Sequence, residues 1–216
     1  MRRLSNLVVK LRITGFVRNK AGMAAVEFAY LAPLLMLITF GTFEMTRALI
    51  VHKRFQRATA MIGDLIAREA ELGTTAANAR ATLDGMMLSA QHTMEPYSFT
   101  PLSMDVYQIW ASISDASKTK IEWSYHYKYP SPTAASDDCG NLKSMPASGM
   151  LPTNGRAIVV EAKYKYTPLL TNIIPGLVHQ MDWSDTMAFL PREGVVAFIK
   201  GLNNTDWQNP SNAPCQ

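Results

Sequence analysis

The feature that most constrains this chain is a run of 21 residues, Met23 to Phe43, in which nothing from Phe28 onward is charged. As a helix it extends about 31 Å, close to the hydrocarbon thickness of a bilayer. Leu34 to Phe43 presents no polar face of the kind a helix on a soluble core needs. The run therefore reads as a membrane span. Its N-terminal flank holds Arg2, Arg3, Lys10, Arg12, Arg18 and Lys20 and no acidic residue. A cationic flank holds its end of a span in the cytoplasm, although Arg47, Lys53, Arg54 and Arg57 follow on the other side. A secretory signal needs a small-x-small cleavage site after its apolar core, and Gly41-Thr-Phe-Glu-Met-Thr-Arg-Ala does not supply one.

The same flank explains the charge balance. The 216-residue chain has a formal net charge of +4, which by itself invites a nucleic-acid or anionic-surface reading. Residues 1–22 contain six of the 21 cations and none of the 17 anions, so residues 23–216 carry 15 cations against 17 anions, a net −2. Direct nucleic-acid binding thereby loses its electrostatic support. An apolar content of 48% excludes wholesale disorder, and two cysteines are too few for a disulfide scaffold or a four-cysteine zinc site.

Glu27 is the most informative single residue. A carboxylate at bilayer depth costs on the order of 2–3 kcal/mol. Glu27 either lies at the interface among headgroups or meets a cation supplied by another molecule. Gly22 stands five residues before it, at the junction of the basic leader and the apolar run.

Gly22, four residues, then Glu27-Phe28, set between a cationic leader and a span, resembles the type IV prepilin processing signal. The resemblance implies cleavage between Gly22 and Met23 by a membrane-embedded prepilin peptidase on the cytoplasmic side. Glu27 would become the fifth residue of the mature chain, placed to neutralise the new terminal amine of a neighbouring subunit. Ala24-Ala25-Val26-Glu27-Phe28-Ala29, Leu31-Ala32-Pro33-Leu34-Leu35 and Gly41-Thr-Phe-Glu44-Met-Thr-Arg47-Ala48-Leu49 are similar to the TadE/TadG-like pseudopilins of the tight-adherence (Tad/Flp) type IV pilus system. The similarity is strongest over residues 20–70. Val159-Val160-Glu161-Ala-Lys-Tyr164-Lys-Tyr166-Thr-Pro168, with Met187-Ala188 and Pro191-Arg192, resembles the C-terminal part of that family. Residues 73–155 carry no recognised motif. Met23 departs from the phenylalanine common at that position, which bears on N-methylation. The length suits the short TadE-like form.

Past the span, Ala48, Val51, Phe55, Ala58, Ile62, Leu65 and Ile66 recur at steps of three and four, while His52, Lys53, Arg54, Arg57, Asp64, Arg68 and Glu71 fall mainly elsewhere. This predicts an amphipathic continuation over residues 44–72, seeking a partner surface and ending near Leu72-Gly73. Glu44 and Arg47 are spaced to pair at the interface. Thr74 to Met87 reads as a second helix capped by Thr74 or Thr75, with Met86-Met87-Leu88 as its buried end. Strands are expected at Met104–Ser112, at 121–129, at Arg156–Tyr166 and at Asp182–Leu190. The second carries the plainest signal: Ile121, Trp123, Tyr125, Tyr127 and Tyr129 alternate with Glu122, Ser124, His126 and Lys128. That aromatic row reads as a buried sheet face rather than a binding platform. The expected fold is α+β and type IV pilin-like: a long N-terminal helix, half in lipid, packed on a small antiparallel sheet. Its parts are a cytoplasmic leader (1–22), the span (23–43), the amphipathic continuation (44–72) and a periplasmic or extracellular α+β domain (73–216).

Residues 130–155 form a long Pro-, Ser-, Gly- and Asn-rich loop containing Cys139, and Cys215 is one residue from the end. Outside the cytoplasm a Cys139–Cys215 bridge is chemically allowed, and closing so long a loop contributes roughly 4 kcal/mol. His52, His92, His126 and His179 share no ligand spacing, and no metalloprotease, nucleophile-elbow or phosphate-loop motif occurs. Asp137-Asp138 reads as a solvated turn, and the Asn203-Asn204-Thr205 sequon is frequent by chance. No catalytic residue, cofactor or metal is expected.

The resemblance implies a non-enzymatic minor pseudopilin used in surface adherence and biofilm formation. Its partners would be the prepilin peptidase, other Tad pilins and the inner-membrane assembly platform. It would be a single-pass inner-membrane protein with its N-terminus cytoplasmic before it enters an extracellular pilus. The alternative is an uncleaved single-pass protein with a periplasmic ligand-binding or sensor domain.

Overall fold

The computed structural model describes residues 21–100, 102–112, 115–128, 141–143, 149–172 and 179–197. The chain divides into two compact units between Arg47 and Ala48. One helix, α1 (Ala21–Arg68), contributes to both.

In the first unit α1 exposes nearly every large side chain, among them Val26, Phe28, Leu31, Leu34, Leu35, Ile38 and Phe40. No residue of its most apolar window is buried, and α1 is the one helix among the described residues long and apolar enough to cross a membrane. Its threonine hydroxyls are satisfied internally. Thr39, Thr42 and Thr46 donate to the carbonyls of Leu35, Ile38 and Thr42 at 2.8, 2.8 and 2.9 Å, the arrangement that lets a hydroxyl reside in hydrocarbon.

In the second unit the surroundings of the helix change. Val51, Phe55, Ala58, Ile62 and Ile66 are essentially inaccessible and form one stripe. Helix α2 (Ala76–Met94) brings a second stripe of Ala79, Leu83, Met87, Ala90 and Met94. Thr75 caps α2, its hydroxyl accepting from the Asn78 N–H at 3.2 Å. The helix runs past Met87 because this stripe continues for two more turns. Leu88, expected at a buried end, is 54% exposed on the opposite face. Arg54 of α1 closes the far end of α2, donating to the carbonyls of Thr93 and Glu95.

Four strands follow: β1 (Leu102–Ala111), β2 (Thr119–Lys128), β3 (Arg156–Tyr166) and β4 (Met181–Phe189). They form one antiparallel sheet in the order β2-β1-β3-β4. A short 3-10 turn, Leu169–Asn172, leaves β3. The protein is thus α+β, a long N-terminal helix with a small antiparallel sheet, as the sequence led us to expect.

One sheet face carries Met104, Val106, Trp123, Tyr125, Tyr127, Ile158, Val160 and Tyr164 and packs in a single core with the α1 and α2 stripes. Contacts fix the direction of α1 along it. Phe55 meets Tyr164 with ring centroids 5.9 Å apart, and further along Gly63 approaches Phe189 of β4. The other face holds a smaller cluster of Tyr107, Ile109, Ile121, Ala157 and Val159, covered by Leu151. Leu151 belongs to the expected long loop, whose residues 141–143 also pair with the start of β2.

The segment after β4 returns across the end of α1. Arg192 N–H donates to Ala67, Ala197 N–H to Ala70, and Leu72 N–H to Ala197, at 2.9, 3.0 and 2.8 Å. The two main-chain groups of Val196 are held by side chains: its N–H by Gln108 Oε1 at 2.9 Å and its carbonyl by Trp123 Nε1–H at 3.0 Å. This strap takes up polar groups that α1 leaves open on ending at Arg68, four residues before the predicted boundary.

A Cβ at Gly63 would overlap the Phe189 ring. Gly63→Ala therefore forces β4 away from α1 and is expected to cost about 1–3 kcal/mol in denaturant unfolding. Phe189→Leu in the same chain should recover part of the loss. Additive effects of the two substitutions would show that this approach is not the strained contact.

Candidate functional site

Three groups of chemistry-bearing residues are present, and each is placed by a different element. The first is the head of α1. Gly22, Met23 and Glu27 are all exposed. Nothing lies within 4 Å of the position a Gly22 side chain would take. Met23 is 64% exposed, and Phe28 beside Glu27 is 65% exposed. Met23 and Glu27 stand four residues apart, one above the other on a helix. The sequence-predicted site residues Gly22, Met23 and Glu27 thus share one exposed helical turn. Further along, Glu44 is 7% exposed and its Oε1 is 3.7 Å from Arg47.

The second group lies at the far end of the sheet and was not expected. Alternation along β2 places Glu122 on a polar face. A register shift between Gln108 and Ile109 instead turns it into the protein, with 5% of the residue exposed. Its carboxylate accepts from Gln108 Nε2 at 2.6 Å and from Arg156 Nε at 2.9 Å. The Arg156 guanidinium lies over the Trp110 ring at 4.4 Å, and Trp110 Nε1–H donates to Asn154 at 2.7 Å. The other end of Gln108 holds the strap. Through these bonds the cluster joins the strap to the sheet.

The third group consists of isolated pairs. Tyr125, 5% exposed, donates to the Asp84 carboxylate of α2. Burial pushes the Tyr125 hydroxyl well above its ordinary value, and the hydrogen bond to the Asp84 charge pushes it further. His126 Nδ1 is 2.7 Å from Asp105, His92 is 3.3 Å from Glu95, and the His52 ring meets Trp183 edge-on at 4.9 Å. His179 is exposed. Among the described residues no group of three or more His, Cys, Asp or Glu is arranged for a metal ion. Trp123, Tyr125 and Tyr127 belong to the core, which makes the aromatic row of β2 a packing face. Tyr129, Asp137, Asp138, Cys139, Cys215 and the Asn203 sequon lie outside the described residues.

Residues 22–63 match the family model described as TadE, TadE-like protein. The matched stretch starts at the exposed glycine and ends inside the buried stripe of α1. No curated protein and no solved structure matches the chain.

Two outcomes follow from these pairs. Arg156→Leu should cost about 3 kcal/mol or more, because it strands the buried Glu122 carboxylate, while adding Glu122→Gln should restore much of the stability in the same urea titration. Tyr125 has a folded-state pKa above its unfolded one, so its contribution is full below pH 10.0 and is lost as pH rises above that value. Wild type should exceed Tyr125→Phe by about 1 kcal/mol at neutral pH. That margin should shrink in unfolding measurements carried above pH 10.0.

Proposed function

We propose that this chain is a minor pseudopilin of a Tad/Flp-type pilus, cut between Gly22 and Met23 by a prepilin peptidase and needed for pilus assembly in surface adherence and biofilm formation. The observation that carries the reading is one continuous helix with two environments. Its first part is an exposed apolar cylinder headed by Gly22 and Glu27, and its second part is the spine of a folded domain. The TadE-like match covers the junction between them.

The physical role of each part follows. The cationic leader sets the orientation, with the N-terminus in the cytoplasm and the folded domain in the periplasm. Cleavage removes those cations and creates an amine at Met23. Glu27 has no ion pair in the described structure, so its carboxylate is available to the amine of a neighbouring subunit. In a dry helical assembly that pairing offsets the cost of burying either charge alone. The exposed apolar side chains from Val26 to Phe43 then exchange lipid for neighbouring helices. Partners on this reading are the peptidase, other Tad pilins and the inner-membrane platform. The chain acts by assembly, not catalysis, and Cys139 and Cys215 would be bridged outside the cytoplasm.

Intact mass of the protein isolated from cells tests the cut. Loss of residues 1–22 only where the peptidase is present is the expected result, and Gly22→Ala should leave the longer precursor in the membrane. A full-length chain in peptidase-competent cells would sink the reading in favour of an uncleaved single-pass protein. Glu27→Ala should insert as well as wild type yet lower piliation by an order of magnitude. Unchanged piliation would remove the pairing role.

A further inference from the structure

The sheet of the second unit has two edges, and they differ. Residues 141–143 lie along the start of β2, where Ile121 N–H donates to Asn141 and Lys143 N–H to Thr119 at 3.0 and 3.1 Å. The exposed Lys128 ends that strand. The opposite edge is β4. Its nine residues extend about 30 Å, and among the described residues nothing pairs with its outer side. Its register against β3 is continuous from Met181 to Phe189, so no bulge bends it away. It contains no lysine, arginine or proline. A long, regular edge of this kind is a template for another strand.

One residue of β4 works against that. Alternation puts Met181, Trp183, Asp185, Met187 and Phe189 on the side packed toward the helices, and Trp183 and Phe189 adjoin the core there. Four of these five are apolar, and the central one is a carboxylate. Asp185 stands opposite Ala162, a core residue 1% exposed. Asp185 is half-buried, and its Oδ2 is shielded from solvent with no hydrogen-bond partner among the described residues. An apolar side chain would suit this row better, so the carboxylate weakens the fold that holds it. Asp182 lies on the other face, 4.0 Å from Lys165 with 78% of its side chain exposed.

We propose that Asp185 guards the free edge of β4 against pairing with the same edge of a second copy of this chain. A strand laid along β4 would take the remaining water from Asp185 and leave its charge buried without a cation. When that strand is β4 of another copy, antiparallel pairing sets both carboxylates on one face of the joined sheet, where they repel. The guard lies wholly within the folded unit. It acts whether or not the chain is cut or built into a fibre.

Amide hydrogen exchange of the full-length chain in detergent micelles tests it, with protein concentration varied about a hundredfold. In wild type the outward amides of β4 should exchange at the same rate at every concentration. In Asp185→Val their exchange should slow roughly tenfold at the highest concentration and recover on dilution. Asp185→Asn, which removes the charge and keeps the shape, should show the same effect in weaker form. Asp182→Val should behave as wild type. All four chains share α1, so association through that helix is common to them and cancels in the comparison. Concentration-independent β4 exchange in both Asp185 variants, with native near-ultraviolet circular dichroism, overturns the guard. If Asp185→Val loses that native signal, Asp185→Asn alone decides. Equal slowing in Asp182→Val also overturns the guard, because net charge rather than position would then be responsible. Slowing in wild type overturns it as well, because the edge would already be paired. Protection that appears in β2 and not in β4 overturns the choice of edge.

Discussion

The structure depends on the burial of one helical stripe against one sheet face. Val51, Phe55, Ala58, Ile62 and Ile66 share a single core with the α2 stripe and one sheet face, Phe55 meeting Tyr164 of β3. Without α1 the sheet would present Tyr164, Val160 and Ile158 to water. Without the sheet, the second part of α1 would carry an apolar stripe from Val51 to Ile66 with less to cover it. At roughly 25 cal/mol per Å² of apolar surface removed from water, a mutual burial of this extent dominates any single polar contact in the domain.

That constraint explains why one helix has two environments. From Val26 to Phe43 the large side chains face outward on every side, and the threonine hydroxyls are bonded back to their own backbone. From Val51 the helix is amphipathic in the ordinary way of a globular protein. The change falls between Phe43 and Val51, about two turns that contain the buried Glu44 and its partner Arg47. A helix whose first part is apolar enough to cross a membrane cannot rely on charged surface pairs there. It relies on backbone bonds and apolar contact, which serve equally well when the neighbour is another helix.

Much of this was legible in the sequence because it is periodic. The apolar run, the stripe at steps of three and four, and the alternation in β2 each repeat at the spacing of their element, and β3 begins and ends where its Arg156 and Tyr166 suggested. What was not legible is non-periodic. Two more apolar positions, Ala90 and Met94, extend α2, but nothing local distinguishes them from a loop. The strand order β2-β1-β3-β4 is set by pairings across tens of residues. Alternation alone sets Glu122 opposite the aromatic row because it is blind to a bulge, and no local signal marks Gln108 as its partner. At the head of α1 the residue types and their spacing were readable from the start, because that site is a linear motif on a single helix.

The strap gives the chain a schedule. Gln108 and Trp123 reach Val196 across 88 and 73 residues of sequence, so these two bonds form only after the strap has been made. A nascent or truncated chain ending before Pro191 holds both helices and all four strands yet cannot close its core. Contacts of such long sequence separation form late and slowly. Closure of the core is therefore left to a late-made segment: the strap follows both helices and all four strands in the chain, and the domain shuts only when residues 191–197 have come into place.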